Sequence, residues 1–431
     1  MSRPLPRREF LRRSALAGVS IAGIGYWSSA SAAEGKSANE KLNLGVIGTA
    51  NQARFSINNI KHENIVAICD IDEKYLGQAK MDFPAAETYH DFRKLLEQKE
   101  IDAVVIATPD HIHAPATAAA LRLGKHVYCE KPLTHTVYEA RTIADLAKKA
   151  KVATQMGTQI HAGGNYRRVV EIIQAGTIGP IREVHTWVNN KGWGGGERPM
   201  DTPPTPAHLH WDLWLGPAPE RTYHNTYLPA NWRKWWDFGG GTIADMACHH
   251  VDLPFWALKL HHPKTVVAEG PAVHSETCPL GLKVQYEFAE RGDLPPVTLT
   301  WYDDNKCPKM LHDIKLPGSG NLFVGEKGSL YADYGGYKLY PEKDFMGFTP
   351  PPKSIPDSIG HHKEWLQACR TGDPTTCNFD YASALTETVL LGNVAFRTGQ
   401  KLEWDSTAMK ATNCPDADKF LRREYRTGWT L

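Results

Sequence analysis

Leu42-Asn43-Leu44-Gly45-Val46-Ile47-Gly48-Thr49-Ala50-Asn51-Gln52-Ala53 reads as a buried β-strand, a tight turn and the first turn of a helix. An apolar run ending in glycine, with small residues two and five positions later, is the phosphate-binding pattern of a dinucleotide fold. Gly48 allows the turn, Ala50 keeps the backbone at Thr49–Ala50 open to a pyrophosphate, and Ala53 lets the helix lie close on its strand. The helix N-terminus then offers free N–H groups to the phosphates. Alanine at the third small position is ordinary; alanine at the second departs from the pattern. A second apolar strand, Ile65-Val66-Ala67-Ile68-Cys69, ends in Asp70, 22 residues after Gly48. That is where such folds hold the carboxylate for the adenosine ribose hydroxyls. Ile71, not arginine, follows, which favours NAD; Lys74 keeps NADP as the less favoured cofactor.

The 431 residues suffice for two domains with separate cores. A net charge of +1 gives no reason to expect nucleic acid or an anionic membrane as partner. Residues 1–33 stand apart as an export segment. Arg7-Arg8-Glu9-Phe10-Leu11-Arg12-Arg13 is a basic twin-arginine signal, an Ala/Gly-rich apolar stretch runs from Ala15 to Tyr26, and Ala30-Ser31-Ala32 supplies an A-x-A cleavage site. The apolar stretch is too short to span a bilayer. This predicts a periplasmic or exported protein that folds around its cofactor before leaving the cytoplasm. The eight cysteines contain no C-x-x-C pair, so neither a zinc site nor a disulfide framework is indicated, although Cys369 and Cys377 are a pair open to oxidation.

Residues 40–158 alternate strand and helix patterns, predicting an α/β Rossmann domain with strands at 42–47, 64–69, 103–107, 126–129 and 152–155. Ligands of such sheets lie beyond the carboxyl ends of the strands. Thr108, Pro109 and His113 after the third strand, and Glu130, Lys131 and Pro132 after the fourth, therefore face the cofactor. Thr136–Ala150 has a helical apolar period. Residues 159–405 read as an α+β substrate and oligomerisation domain with helices at 165–175, 361–370 and 381–398 and strands at 181–188, 265–268, 283–288, 297–301 and 402–404. The tail, 406–431, carries no readable signal.

Thr108-Pro109 with His113, Glu130-Lys131-Pro132, Ala175-Gly176-Thr177-Ile178-Gly179-Pro180-Ile181 and Gly239-Gly240-Gly241-Thr242-Ile243-Ala244-Asp245-Met246-Ala247-Cys248-His249-His250-Val251-Asp252 together resemble the glucose–fructose oxidoreductase/inositol dehydrogenase/MocA (Gfo/Idh/MocA) family. The resemblance covers about 42–405. It implies a C-terminal domain with an open, mostly antiparallel sheet, subunit contacts in a dimer or tetramer, a cis peptide before Pro132, and NAD-dependent chemistry on a carbohydrate. It also implies His249 as acid/base and Asp245 as its substrate-binding partner.

The residues themselves support that chemistry. Oxidation of a secondary alcohol needs a base for the hydroxyl proton, and a partly desolvated Lys131 at a strand end is the first candidate. Asp245 and His249 stand four apart, on one face of a helix that starts after the glycines. A carboxylate there orients the histidine and raises its pKa. His250 points elsewhere and is structural. No metal is assigned, although Asp245, His249 and His161 would form a ligand set if they converged; His161 is otherwise a substrate contact. Seven of the 13 tryptophans fall between Trp187 and Trp236. Most are core rings, with Trp193 and Trp235 or Trp236 the candidates for flanking a sugar.

Three functional classes fit these residues. The first is an exported NAD(P)-dependent oxidoreductase acting on a sugar, polyol or glycoside hydroxyl. The second is a glycoside hydrolase that uses NAD transiently, through oxidation, elimination and return of the hydride. The third, a cofactor- or sugar-binding protein without turnover, leaves Lys131, Asp245 and His249 without a task.

Overall fold

A computed structural model describes residues 40–189 and 192–431; the export segment lies outside the described residues. Six parallel strands lie in the order β3-β2-β1-β4-β5-β6. They are β1 (Asn43–Ile47), β2 (Asn64–Cys69), β3 (Glu87–Tyr89), β4 (Ala103–Ile106), β5 (His126–Cys129) and β6 (Thr154–Met156). Helices on both faces bury the central strands, so β1 and β4 are almost wholly apolar, with Val46, Val104 and Val105 fully buried. Within this sheet, strand β3 is the one that sequence periodicity misses. It is a three-residue edge strand, Glu87-Thr88-Tyr89, half exposed and without an apolar run.

The crossovers are α1 (Gln52–Ile60), α2 (Glu73–Asp82), the short α3 (Phe92–Leu95), α4 (Asp110–Arg122) and α5 (Val137–Ala150). Helix α5 opens with a capping box: Thr136 Oγ1 accepts the Glu139 N–H at 3.2 Å and the Glu139 carboxylate accepts the Thr136 N–H at 2.9 Å. Pro109 is the N-cap of α4, so Asp110 is the first helical residue beyond β4.

After α6 (Gly164–Gln174) comes a nine-stranded sheet ordered β15-β14-β13-β7-β10-β9-β8-β16-β17. Its strands are β7 (Ile181–Val188), β8 (Thr265–Glu269), β9 (Lys283–Phe288), β10 (Val297–Asp303), β13 (Ser319–Gly325), β14 (Gly328–Ala332), β15 (Tyr337–Tyr340), β16 (Leu402–Asp405) and β17 (Lys410–Ala411). A separate hairpin pairs β11 (Met310–Leu311) with β12 (Ile314–Lys315). Strands β7 and β10 run parallel, and the others described pair antiparallel, as expected of an open, mostly antiparallel sheet. Helix Phe379–Thr398 is buried on nearly every side because it packs on α5 from one domain and β8 from the other. All eight cysteines, Cys369 and Cys377 included, are free thiols.

Two segments tie the halves together. At 208–210 the chain lies along the loop after β2: the Glu73 N–H donates to His208 O and the His210 N–H to Ile71 O, each at 2.9 Å. The C-terminal tail is also part of the fold, which moves the boundary expected at 405. Arg423 and Tyr425 donate to Glu139 Oε1 at 3.0 and 2.7 Å, and Trp429 packs on Phe92 beneath the Arg93 guanidinium. Its contacts are scattered single side chains with no period, so the tail looks featureless as sequence.

Candidate active site

A cleft of about 440 Å³ opens at the carboxyl ends of β1, β2 and β4. Gly48 sits there at φ +86°, and a Cβ on it would come within 2.6 Å of Ala107 O, so only glycine fits the turn. Thr49, Ala50, Asn51 and Gln52 line the cleft where α1 begins. The first turn of this helix leaves N–H groups for an anion, which fits a dinucleotide pyrophosphate. Asp70 lines the same cleft. Its Oδ2 accepts the Thr49 N–H at 2.9 Å and the Thr49 hydroxyl at 2.8 Å, and its Oδ1 accepts the Asp72 N–H at 3.0 Å. A carboxylate offers about four acceptor positions, so one on Oδ1 is left for a ribose hydroxyl. Burial pushes its pKa up against these donors. The cleft therefore suits NAD. Asp70→Ala should weaken NAD binding and narrow its preference over NADP, while also loosening the Thr49 turn. Wild-type protein that binds NADP tenfold tighter, about 1.4 kcal/mol, in a titration of both cofactors would overturn this reading of Asp70.

A second cavity, about 180 Å³, shares Gln52, Ala107, Thr108, Trp232 and Arg233 with the cleft and adds Lys131, Asp245 and His249. The peptide Lys131–Pro132 is cis, as the family resemblance implied. Lys131 Nζ donates to Asp245 Oδ1 and to the Asp245 carbonyl, both at 2.6 Å. Arg233 Nε donates to the same Oδ1 at 3.0 Å, and Trp193 Nε1 to Oδ2 at 2.8 Å. Burial alone would raise the Asp245 pKa, but Lys131 and Arg233 hold it well below the usual carboxylate range.

Asp245 lies in a π-helical turn, Ile243–Ala247, that passes into a short α-helical stretch at Cys248–His250. Such turns often mark functional sites. The segment follows Gly241, at φ +72°, where a Cβ would meet Trp193 O at 3.2 Å and Cys278 Cβ at 2.7 Å. The expected shared face is present, since Asp245 and His249 line one cavity, but the turn is wider than an α-helix. The expected rise in the His249 pKa is reversed. Burial, then the Lys131 charge, hold it well below 6.5, and Asp245 is already committed to Lys131 and Arg233. His249 is therefore a neutral proton acceptor near pH 7.

Thr108 lines both cavities and Pro109 the larger one. Glu130 borders the smaller one, where its carboxylate accepts from Ser56 at 2.9 Å and from Gln159 at 3.1 Å. Four expected contacts belong elsewhere. His113 is a brace between two strand-end loops, with Nδ1 2.7 Å from Pro132 O and Nε2 2.9 Å from Thr108 O. Burial lowers its pKa to about 4, so the neutral ring bonds one carbonyl and merely approaches the other. His161 is buried against Asp252, Nδ1 to Oδ1 at 2.9 Å, and stacks on Trp256, away from Asp245. Trp235 packs with Tyr227 and Phe238, and Trp236 donates to His274 O at 3.0 Å beneath Arg397. Both are core rings because the aromatic cluster needs their area more than the cavity does. His250 is structural as expected, stacked on Tyr334.

Arg233, Trp232 and Asp110 were not singled out from sequence. The basic residue inside Trp232-Arg233-Lys234-Trp235-Trp236 was a signal, because an arginine among buried rings needs a carboxylate partner. Asp110 is buried and lines the smaller cavity without a hydrogen bond from another side chain among the described residues; burial raises its pKa to about 7 although Arg233 and Lys131 oppose this. A raised folded-state pKa stabilises the fold below 3.8, and that stability is lost as pH rises from 3.8 to about 7. At about 1.4 kcal/mol per pH unit, Asp110→Asn should stabilise the protein by ~2–4 kcal/mol at pH 8 and little at pH 4. Urea unfolding at both pH values reads this; equal effects at the two would refute it.

The chain matches two family models in turn. Residues 42–158 match the oxidoreductase family's NAD-binding Rossmann fold, and residues 165–431 its C-terminal alpha/beta domain. Inositol 2-dehydrogenase of Salmonella typhimurium is 31% identical over 147 residues, 33% of this chain and 43% of that protein, so the chain matches less than half the length of such relatives. A glycosyl hydrolase family 109 protein of Saccharopolyspora erythraea is 27% identical over 352 residues, 73% of this chain and 70% of that one. The WlbA dehydrogenase from Bordetella pertussis, solved with NADH and UDP-GlcNAcA, shares the fold at a TM-score of 0.59 and 19% identity, over 85% of this chain and 99% of that one. With its NAD-binding Rossmann domain and the C-terminal domain that follows, this chain belongs to the Gfo/Idh/MocA oxidoreductase family.

Proposed function

We propose that the protein is an NAD-dependent oxidoreductase acting on a hydroxyl of a sugar, polyol or glycoside. One observation carries this reading: Lys131, Asp245 and His249 line a small polar cavity that shares a wall with the dinucleotide cleft. NAD, held by the Gly48 turn, the start of α1 and Asp70, supplies the hydride acceptor. Asp245 fixes two of the three Lys131 donors, which leaves the third to hold and polarise the substrate hydroxyl. His249 takes the hydroxyl proton as the neutral base. Arg233 steadies Asp245 through the same Oδ1 and, with Trp232, lines both cavities.

A second reading, NAD-dependent glycoside cleavage, is favoured by the family 109 relative and by Asp110. Elimination needs a base for the proton next to the oxidised carbon and an acid for the departing oxygen. A cavity carboxyl with a pKa of about 7 is protonated often enough to be that acid. Purified protein, analysed for bound nucleotide and incubated with glycosides in deuterated water, separates the readings. Net NADH with a keto product and no deuterium supports the dehydrogenase. Released aglycone, deuterium next to the reacting carbon and no net NADH supports cleavage. Absence of either activity with a nucleotide still bound would leave a protein that only holds its cofactor.

Export through the twin-arginine route belongs to the same proposal. Replacing Arg7 and Arg8 by lysine should retain the precursor in the cytoplasm, folded and loaded. Normal export of that variant, read by fractionation, would remove this part of the proposal.

A further inference from the structure

Among the described residues, two groups of three histidine and carboxylate side chains bring their ligand atoms within 4.8 Å of one another, and neither belongs to the cavities' Lys131–Asp245 cluster. In one, Glu73, His90 and His210, the imidazoles stack face to face, with centroids 4.0 Å apart and planes 28° apart. Rings stacked in that way do not fan out from a common ion. The other group, Glu183, His185 and His312, has the opposite geometry. Its ring centroids are 6.0 Å apart and the planes are inclined by 53°, as in two imidazoles spreading from a shared point.

Glu183 and His185 stand two apart on β7, so they share one face of the sheet. His312 comes from the turn of the β11–β12 hairpin. Both histidines aim Nε2 at Glu183 Oε1, that of His312 at 3.3 Å. The other nitrogen of His185, Nδ1, is 3.0 Å from the Tyr302 hydroxyl. With an ion at Nε2 the ring proton would sit on Nδ1 and donate to the Tyr302 oxygen, the support a metal-binding histidine usually has. His185 is nearly buried, whereas Glu183 and His312 have side chains 40% and 43% exposed, so water can reach the open side.

The turn supports the same conclusion. His312 and Asp313 occupy the two central positions of the hairpin at φ 45° and 62°. Two-residue turns of this kind are usually Asn-Gly or Asp-Gly, because other side chains resist the left-handed region. A histidine kept there at a conformational cost is explained if its imidazole has a task at Glu183.

We propose that Glu183, His185 and His312 form a binding site for a divalent transition ion of the zinc class, with water as fourth ligand. Two imidazoles and one carboxylate suit zinc, which takes nitrogen and oxygen donors at four-coordinate sites. The ion would fasten the hairpin to the outer face of the sheet over Trp187, Tyr302, Ile314 and Leu322. This site is separate from the proposed reaction, and its failure would leave that reading untouched.

The test uses the full mature chain, treated with a chelator and then titrated with zinc alone, with the bound metal counted. One zinc per chain is expected, with a higher thermal midpoint in its presence. His312→Ala, at an exposed turn, should fold normally, lower zinc affinity at least 100-fold and lose the thermal shift. Tyr302→Phe should weaken binding ~10–100-fold, the usual cost of losing such a support. His210→Ala should change nothing. Cobalt in place of zinc should give a visible ligand-field spectrum in the wild type and not in His312→Ala. Equal zinc affinity in wild type and His312→Ala, or loss of binding in His210→Ala, would overturn the proposal.

Discussion

Lys131→Met is expected to lose ~10²–10³-fold in turnover, the usual cost of removing a donor aimed at the reacting oxygen, while NAD binding stays near that of the wild type. Lys131 lines the substrate cavity and not the dinucleotide cleft, and its ammonium is anchored by Asp245 at 2.6 Å. Methionine keeps the length of the side chain and removes the donors. His249→Ala should fall on the same scale for a different reason, loss of the proton acceptor. The pH profile distinguishes the roles. A base works when unprotonated, and the His249 pKa lies well below 6.5, so the acid limb of kcat/KM in the wild type should lie below pH 6.5. Removing the Lys131 charge takes away one of the forces holding it down. The limb of the residual Lys131→Met activity should therefore move to higher pH. A limb that stays in place would show that Lys131 does not bear on His249, and near-wild-type turnover by Lys131→Met would end both enzymatic readings.

Asp245→Asn should bring losses in stability, substrate affinity and turnover together. The carboxylate accepts from Lys131, Arg233 and Trp193, with its side chain 14% exposed and that of Lys131 11%. An amide leaves both cations without a counter-charge and turns a donor toward either the Trp193 N–H or the two cations. Removing one partner of a buried pair costs ~3–5 kcal/mol, and the remaining exposure places this case near ~3. The folded-state pKa is depressed, so the carboxylate stabilises the fold above pH 3.8 and loses that effect only as pH falls through its lowered value. The stability gap between variant and wild type should therefore persist at pH 4.5 as at pH 7. Denaturant unfolding at the two pH values, with KM and kcat at the higher one, checks all three effects. A gap that closes by pH 4.5 would mean that Asp245 is not held ionised by its neighbours.

What could be read from sequence was what depends on short stretches. Gly48, Asp70 and Lys131 each sit at the end of an apolar strand, and strand ends are marked by local composition. The pair Asp245 and His249 was legible because four residues of spacing place side chains on one side of almost any helical turn. Arg233 and Asp110 escaped because no local pattern ties them to their partners: Arg233 meets Asp245, 12 residues on, across a loop, and Asp110 faces a cavity completed by residues more than 100 positions later. Tryptophan density pointed to the correct segment and, in part, to the wrong rings. Trp193 reaches Asp245, but Trp235 and Trp236 fill the core. Composition cannot tell a platform from a filler when both need large flat area.

The π-helical turn at Ile243–Ala247 also has a consequence for how this site tolerates changes in length. A π turn holds one residue more than the α-helical turn it interrupts, so it behaves as an insertion accommodated without breaking the helix. Deleting a single residue within it would let the segment close as an ordinary α-helix. The stretches on either side would keep their facing, because the extra residue is absorbed inside the turn, and His249 would still line the cavity while Asp245, within the turn, would be redirected. The count of residues between the carboxylate and the imidazole is thus a structural dimension of the site. A chain of the same ancestry that is one residue shorter here would keep the fold, the lysine and the base, and aim its carboxylate differently.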